Sequence, residues 1–338
     1  MSEFTWKWVC GAVKLCLSAA LLPTLLSVFL FTPVYAVAAE NSKVGWIGLP
    51  REPIHINAWP KDAKVAVCFL LYVEEWGFGQ GPVLKPYMAT RNPDLVDEGF
   101  RQYGIHEGIP RIGRLFKEHN APLSIALNAL FLKSYPDVWK EFRNLAPYAP
   151  IVGHGMNNSD QLLPLGRGLA AQREYIRNTL DIIESGTGIR PTGWTSPRVY
   201  PNLDTFVATA AEKMTFSLDA MDSDTLSHVQ TPNGSLLLIP YPTVTVDMTQ
   251  SLVRHAQAQD IAQLWIDYVD ELVRESVASP NRSATVVVVG IHPFISGTPD
   301  GAAGLRRVLT HILKDNRIWL TDVHQVMDWQ AKHAQEGK

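Results

Sequence analysis

The sequence predicts an α/β fold, a single irregular (β/α) barrel of about seven parallel strands. Nearly continuous apolar runs, typical of strands buried on both faces, recur along the chain. Segments with helical spacing separate these runs, which implies parallel βαβ units. No linker or shift in composition divides the units, and this favours one closed barrel over an open sheet in two domains.

The first strand is expected at 64–73, after a lead at 41–59 in which Pro50 and Pro53 disfavour regular structure. The elements expected next are a helix at 109–119, a strand at 122–128, a helix at 136–145, a strand at 148–153 and a helix at 168–185. A strand at 190–196, a helix at 202–213, strands at 215–219 and 235–240, and a helix at 261–277 follow. The strongest strand is expected at 283–291, and 304–314, 318–320 and 323–331 complete the pattern.

Residues 1–39 are expected to be a signal peptide and residues 40–338 the folded catalytic domain. Lys7 and Lys14 precede an apolar run at 15–31, and small residues before Glu40 form an Ala-x-Ala cleavage pattern. An uncleaved membrane anchor is the alternative, because the apolar run is close to the length that spans a bilayer. The sequence therefore predicts an exported protein, periplasmic or secreted, or anchored if the leader is retained.

The composition restricts the partners that the protein can bind. The chain has 338 residues, of which 46% are hydrophobic and 19% charged, so a sizeable core is expected. The formal net charge is -3, and the sequence has no basic stripe that could bind the phosphates of a nucleic acid. Nucleic acid is therefore not expected as a partner, and a small-molecule or oligosaccharide substrate is. Cys68 is the only cysteine beyond the leader, so no intramolecular disulfide can form. The sequence does not indicate an oligomeric state.

Ionisable residues directly follow three of the apolar runs. Glu74 and Glu75 end the first run, His154 follows "APIVG", and His292 follows "TVVVVGI". The C-terminal ends of parallel barrel strands build the active site, so these groups should converge. A carboxylate that activates water and an imidazole that protonates the departing nitrogen suit hydrolysis of an amide-like C–N bond. Repulsion between Glu74 and Glu75 is expected to raise one pKa toward the range of a general base.

Each of these groups also has a simpler interpretation. Paired glutamates are often only solvated, and a histidine at a strand end is often a structural hydrogen-bonding group. Because ionisable groups follow three separate strands, a catalytic role for them together is favoured over three unrelated structural roles.

Several segments resemble the polysaccharide deacetylases with the nodulation-protein-B homology domain, carbohydrate esterase family 4. The segments include "VCFLLYVEEWG", "GHGMNNSD", "TGIRPTGWTSPRVYPN" and "VGIHPFISGTP", in the order that the superfamily uses. The resemblance extends from about Trp59 to Trp329. It is strongest to the metal-independent, allantoinase-like branch, and it implies the same barrel.

The first two motifs of the superfamily imply roles for four residues. Glu74 and Glu75 occupy the places of a general base and a metal ligand. His154 matches the first histidine of His-x-x-x-His, and Asn158, a candidate substrate-binding residue, stands at the second. No metal is expected, because amide oxygen is a poor zinc ligand; if zinc were present, Glu75, His154 and Asn158 would hold it.

The remaining motifs imply further site residues. Arg190, Trp194 and Arg198 match the third motif and would orient the catalytic carboxylate or bind substrate, with a surface salt bridge as the alternative for Arg190. Asp219 matches the fourth motif as a catalytic group, and His292 matches the fifth as the general acid. Asp247, in "TVTVDM", is a weaker candidate for substrate binding.

The sequence therefore predicts an exported hydrolase of non-peptide C–N bonds, a deacetylase of N-acetylated glycans with Glu74 as base and His292 as acid. An allantoinase-like hydrolase of cyclic amides is one alternative. A non-catalytic carbohydrate-binding relative is the other.

Overall fold

The computed structural model describes residues 47–81, 94–160 and 168–333. The signal peptide expected at 1–39 lies outside these residues, and the domain boundary at residue 40 stays a prediction. Within the described ranges, no helix is both long and apolar enough to cross a membrane.

Ten strands among the described residues form one sheet. They are β1 (Arg51–Pro53), β2 (Val65–Val73), β3 (Ser124–Leu127), β4 (Ile151–Gly153), β5 (Gly193–Trp194), β6 (Phe216–Ala220), β7 (Ser227–Thr231), β8 (Gly234–Pro240), β9 (Thr285–Ile291) and β10 (Ile318–Thr321). The strands β2, β3, β4, β5, β6 and β8 are neighbours in this order, all parallel, and β9 pairs with the opposite edge of β2. A parallel bridge between Val246, just beyond β8, and Gly290 of β9 closes the ring. The predicted barrel of about seven parallel strands is confirmed.

Helices cover the outside of the barrel. They are α1 (Leu95–Tyr103), α2 (Ile109–Glu118), α3 (Phe131–Ser134), α4 (Pro136–Leu145), α5 (Leu169–Thr187), α6 (Leu203–Ala211), α7 (Ala258–Ala278), α8 (Pro299–Ile312) and α9 (Val323–His333). One wide turn of helix at Gly104–Gly108 joins α1 to α2.

Two short strands were not predicted. Residues 51–53 lie in the lead expected to be irregular, yet β1 pairs antiparallel with β7, which pairs antiparallel with β8. Pro53 is tolerated because β1 is an edge strand, so its missing N–H breaks no ladder. The expectation of an irregular lead is therefore wrong at these residues.

Alternation along β2 determines which side chains enter the barrel. Ala66, Cys68, Leu70 and Tyr72 pack in the interior with residues of the other strands. The intervening residues, Val65 to Val73, pack outward against helices α2, α7 and α8. Because successive side chains of a strand point to opposite faces, Glu74 continues the inward row and Glu75 the outward row. His154 and His292 continue the inward rows of β4 and β9 in the same way, after Val152 and Val288.

Candidate active site

Glu74 is the centre of a buried polar cluster at the C-terminal ends of β2, β4 and β9. Its side chain is only 4% exposed. Oε1 accepts a hydrogen bond from Asn158 Nδ2 at 2.8 Å, and it lies 3.3 Å from His154 Nε2 and 3.6 Å from His292 Nε2. Oε2 accepts a hydrogen bond from Trp76 Nε1 at 3.0 Å. Three of the predicted site residues thus meet one carboxylate.

A hydrogen bond on the side of the ring away from Glu74 fixes the orientation of His154. Its Nδ1 lies 2.9 Å from the carbonyl oxygen of Thr195, which can only accept, so Nδ1 carries a proton and Nε2 faces Glu74. Asn128 connects the two strand ends, because its Nδ2 donates to the carbonyl of His154 and its Oδ1 accepts from the backbone N–H of Glu75. Sequence reasoning missed Asn128, which directly follows β3.

Asn158 is oriented by Arg198. The backbone N–H of Arg198 donates to Asn158 Oδ1 at 2.9 Å, so the amide must point its NH₂ group at Glu74. Arg198 adopts a positive φ of 55°, an uncommon backbone conformation for a residue with a side chain. Its Nε donates to the carbonyl of Asn158, and its guanidinium lies 5.3 Å from the ring centroid of Trp76. Arg198 therefore contacts the cluster through its backbone N–H and its guanidinium, and its predicted role in binding substrate stays a prediction.

His292 faces Glu74 from the opposite side and is held by Asp247. Its Nδ1 lies 2.6 Å from Asp247 Oδ1. Asp247 Oδ2 accepts from the backbone N–H of His292 at 2.7 Å and from Ser296 Oγ at 2.6 Å. Asp247 was predicted to bind substrate, but in the structure it holds the imidazole. Ser296 was not predicted.

The charges of Glu74 and His292 shift each other's pKa in the direction opposite to the effect of burial. Burial favours the neutral acid of Glu74, but the charge of His292 and hydrogen bonds from both histidines outweigh it and lower the pKa of Glu74 well below its ordinary value. Burial likewise disfavours a charged His292, but Asp247 and Glu74 raise its pKa well above the ordinary 6.5. The expected rise in a glutamate pKa through Glu74–Glu75 repulsion is therefore wrong for Glu74. Near neutral pH the site holds a carboxylate beside an imidazolium.

Three predicted residues point elsewhere. Glu75 Oε1 accepts a hydrogen bond from Ser134 Oγ at 2.8 Å, outside the barrel interior. Glu75 points outward because it continues the outward-facing row of β2. Arg190 binds Asp181 and Glu184 of α5 at 2.7 and 2.8 Å, which is the surface salt bridge considered as its alternative.

Trp194, the third of these residues, packs outward against α5 and α6 and is fully buried. It cannot contact a substrate from that position. Its indole N–H donates to Ser196 Oγ at 3.2 Å.

Asp219 is buried beside the cluster without touching Glu74. Its carboxylate accepts from the backbone N–H and hydroxyl of Ser196 at 2.8 and 2.7 Å, which ties the end of β6 to the segment after β5. Burial raises the pKa of Asp219 to about 6, although the hydrogen bonds from Ser196 oppose this rise.

The predicted metal ligands do not converge. Glu75 faces away from His154, and Asn158 Oδ1 is occupied by the N–H of Arg198. Within the part of the chain that the structure describes, no group of three or more His, Cys, Asp or Glu side chains could hold a metal ion. These residues therefore do not fit the zinc triad of the deacetylase motifs.

Sequence comparison matches this chain to two deacetylases, and structure comparison matches it to an allantoinase. A polysaccharide deacetylase candidate of Schizosaccharomyces pombe is 23% identical over 85% of this chain and 96% of its own length. The peptidoglycan deacetylase of Helicobacter pylori is 21% identical over 70% of this chain and 88% of its own length. The predicted resemblance to the polysaccharide deacetylase superfamily is confirmed.

Within this superfamily, the crystal structure of Puue allantoinase superimposes with a TM-score of 0.70 at 25% identity. The match covers 88% of this chain and 99% of the allantoinase. No protein-family model matches the chain.

Proposed function

We propose that this protein is an exported hydrolase of non-peptide C–N bonds that removes acetyl groups from N-acetylated glycans. The observation that carries the proposal is the pairing of Glu74 with His292 at the C-terminal face of the barrel. A carboxylate and an imidazolium side by side are a general base and a general acid in the protonation states that amide hydrolysis requires. The polysaccharide and peptidoglycan deacetylases among the relatives support the acetamide as substrate.

In the proposed reaction Glu74 takes a proton from water, and the resulting hydroxide attacks the acetamide carbonyl. His292 Nε2 then gives its proton to the departing amine, and the acetic acid that is released loses its proton to solvent. Glu74 returns its proton to His292, so the pair is again a carboxylate beside an imidazolium after each turnover. Asn158 and Trp76 hold the two oxygens of Glu74 from other directions, so the carboxylate is positioned before the substrate arrives.

The coupling between the two groups explains how a weakly basic carboxylate acts as a base. Glu74 has a low pKa chiefly because a charged His292 outweighs the effect of burial. When His292 transfers its proton to the leaving nitrogen it becomes neutral, and the stabilisation of the Glu74 carboxylate disappears. The basicity of Glu74 therefore rises at the stage of the reaction at which it must hold a proton.

The adjacent glutamates provide a matched test of this proposal. Glu74→Gln keeps the shape of the side chain but removes the base, and we expect acetate release from chitooligosaccharides to fall about 10²-fold or more. Glu75→Gln makes the same chemical change one residue further, outside the cluster, and should keep activity within about threefold. Equal losses in the two variants, or normal turnover in Glu74→Gln, would refute the assignment of Glu74.

A second candidate function is the hydrolysis of a cyclic amide, as in an allantoinase. The superposition on Puue allantoinase over nearly its full length favours it. Incubation with allantoin and with chitooligosaccharides separates the two functions, because ring opening produces a new carboxylate on the substrate whereas deacetylation releases free acetate. Binding of oligosaccharide without either product would identify a non-catalytic relative.

A further inference from the structure

Tyr72 lies between the two histidines of the cluster. Its ring is stacked on the imidazole of His292, with the centroids 4.5 Å apart and the planes 5° from parallel. The same ring meets His154 edge-on, with a centroid distance of 5.0 Å and an angle of 62°. The side chain is 1% exposed and follows the inward row of β2, two residues before Glu74.

Packing inside the barrel holds the ring of Tyr72, and its hydroxyl group adds one hydrogen bond. The hydroxyl groups of Tyr72 and Tyr241 lie 2.7 Å apart in a region without solvent contact. Tyr241 reaches this position because residue 290 is glycine, and a Cβ there would lie 2.1 Å from the Tyr241 hydroxyl oxygen. Burial raises the pKa of Tyr72, so its phenol stays neutral. The Tyr72 ring is thus an uncharged, closely packed surface beside both histidines.

We propose that Tyr72 is a positioning residue whose ring holds the His292 imidazolium in the plane in which Nε2 faces Glu74. The bond to Asp247 and the approach to Glu74 restrain the two ring nitrogens, but neither contact supports the face of the imidazole, which can still tilt through its side-chain torsions. The parallel stack with Tyr72 limits this tilt. The face of an aromatic ring also attracts a cation, so the stack favours the protonated imidazole.

This role rests on the proposed function for its effect on catalysis, although the contact itself does not. The charged and titratable groups that face His292 are Glu74 from the end of β2 and Asp247 from the segment after β8. His154, on β4, contacts Glu74 and the edge of Tyr72. A substitution at residue 72 changes none of these three side chains, and Tyr72→Phe keeps the ring that contacts His154, so the comparison of Tyr72→Leu with Tyr72→Phe reports the ring.

The test compares variants that keep or remove the ring. In Tyr72→Leu and Tyr72→Met we expect kcat to fall about 10-fold to 10²-fold with little change in KM, because the acid is misplaced after the substrate has bound. The alkaline limb of the pH–rate profile should move down by roughly half a unit, as loss of a cation–π contact predicts. Tyr72→Phe keeps the ring and should retain the alkaline limb of the wild type and most of the turnover.

Leu70→Ala is the control for general destabilisation. Leu70 lies two residues earlier in the same inward row and is fully buried. This variant should lower the unfolding temperature without moving the alkaline limb. If Tyr72→Leu and Tyr72→Met lose only stability and keep the wild-type profile, or if Tyr72→Phe is as impaired as they are, the positioning role is wrong.

A measurement without turnover separates this inference from the proposed function. The ring signals of His292, assigned with His292→Gln, can be titrated by NMR in the wild type, Tyr72→Phe and Tyr72→Leu. A lower midpoint in Tyr72→Leu alone supports the stack even if no acetylated glycan is hydrolysed. Identical midpoints in all three proteins contradict it, whatever the substrate.

Discussion

Glu74 and Glu75 are adjacent in sequence but have different environments. Glu74 is surrounded by two imidazoles, an amide and an indole N–H, whereas Glu75 is bonded to Ser134. The difference arises from the two-residue period of β2, which continues through the first residues after the strand. A carboxylate in the inward row meets the cluster, and one in the outward row does not.

At this scale the sequence predicted the members of the cluster better than their roles. His154, Asn158 and His292 converge on Glu74 as expected, because their strands are parallel and end at one face. Asp247 was expected to meet substrate and instead holds His292, since an acceptor for Nδ1 depends on how the segment after β8 crosses β9. No pattern within that segment predicts this crossing.

Asp247 controls the charge of His292, and the pH–rate profile should show this control. The Asp247→Asn variant removes a negative charge that raises the pKa of His292, so this pKa falls. The alkaline limb of kcat/KM, above which the acid has lost its proton, should move to lower pH by about one unit or more. The acid limb, set by a carboxylate whose pKa lies below its ordinary value, should change little.

Asp300→Asn is the control for this measurement. Asp300 is an exposed residue of α8, and the substitution changes the net charge by the same amount. Its profile should match the wild type. An unchanged alkaline limb in Asp247→Asn would show that Asp247 does not set the protonation of the acid.

At the scale of elements, the closure of the barrel depends on a close approach between β9 and the segment after β8. Gly290 of β9 is bridged to Val246 and faces the hydroxyl group of Tyr241. The sequence predicted β8 and β9, because their apolar runs are long. It could not predict this contact, or the β1–β7–β8 antiparallel extension, because pairing partners at a sheet edge depend on residues distant in sequence.

Gly290→Ala should destabilise the protein. A Cβ at this position overlaps the Tyr241 oxygen, and crowding of a well-packed core costs about 1–3 kcal/mol. Gly99→Ala is the matched control, since a Cβ at this position of α1 meets nothing within 4 Å. There alanine should be neutral or stabilise by up to about 1 kcal/mol. Urea denaturation of the three proteins measures the difference, and equal stability of Gly290→Ala and the wild type would contradict the packing at the closure.

At the scale of the whole molecule, the described residues must be stable without a disulfide at Cys68. Cys68 is buried and free, and beyond the expected leader the chain has no second cysteine with which to pair it. Small secreted domains without disulfides often depend on a metal, but about 300 residues can bury a sufficient core. The described residues provide such a core, with one apolar layer inside the barrel and a second beneath the helices.

Metal removal should therefore leave both stability and activity unchanged. Asn158 directs an N–H at Glu74 instead of a lone pair at a cation, so the cluster is held together by hydrogen bonds and ion pairs. After dialysis against a chelator we expect the unfolding temperature to stay the same and kcat to change less than about twofold, because a cluster that needs no metal gains no stability from binding one. Elemental analysis of the protein before and after dialysis is the control that any metal was removed. Loss of activity on chelation, with recovery on addition of zinc, would show that the cluster binds a catalytic metal and that Asn158 turns its oxygen toward it.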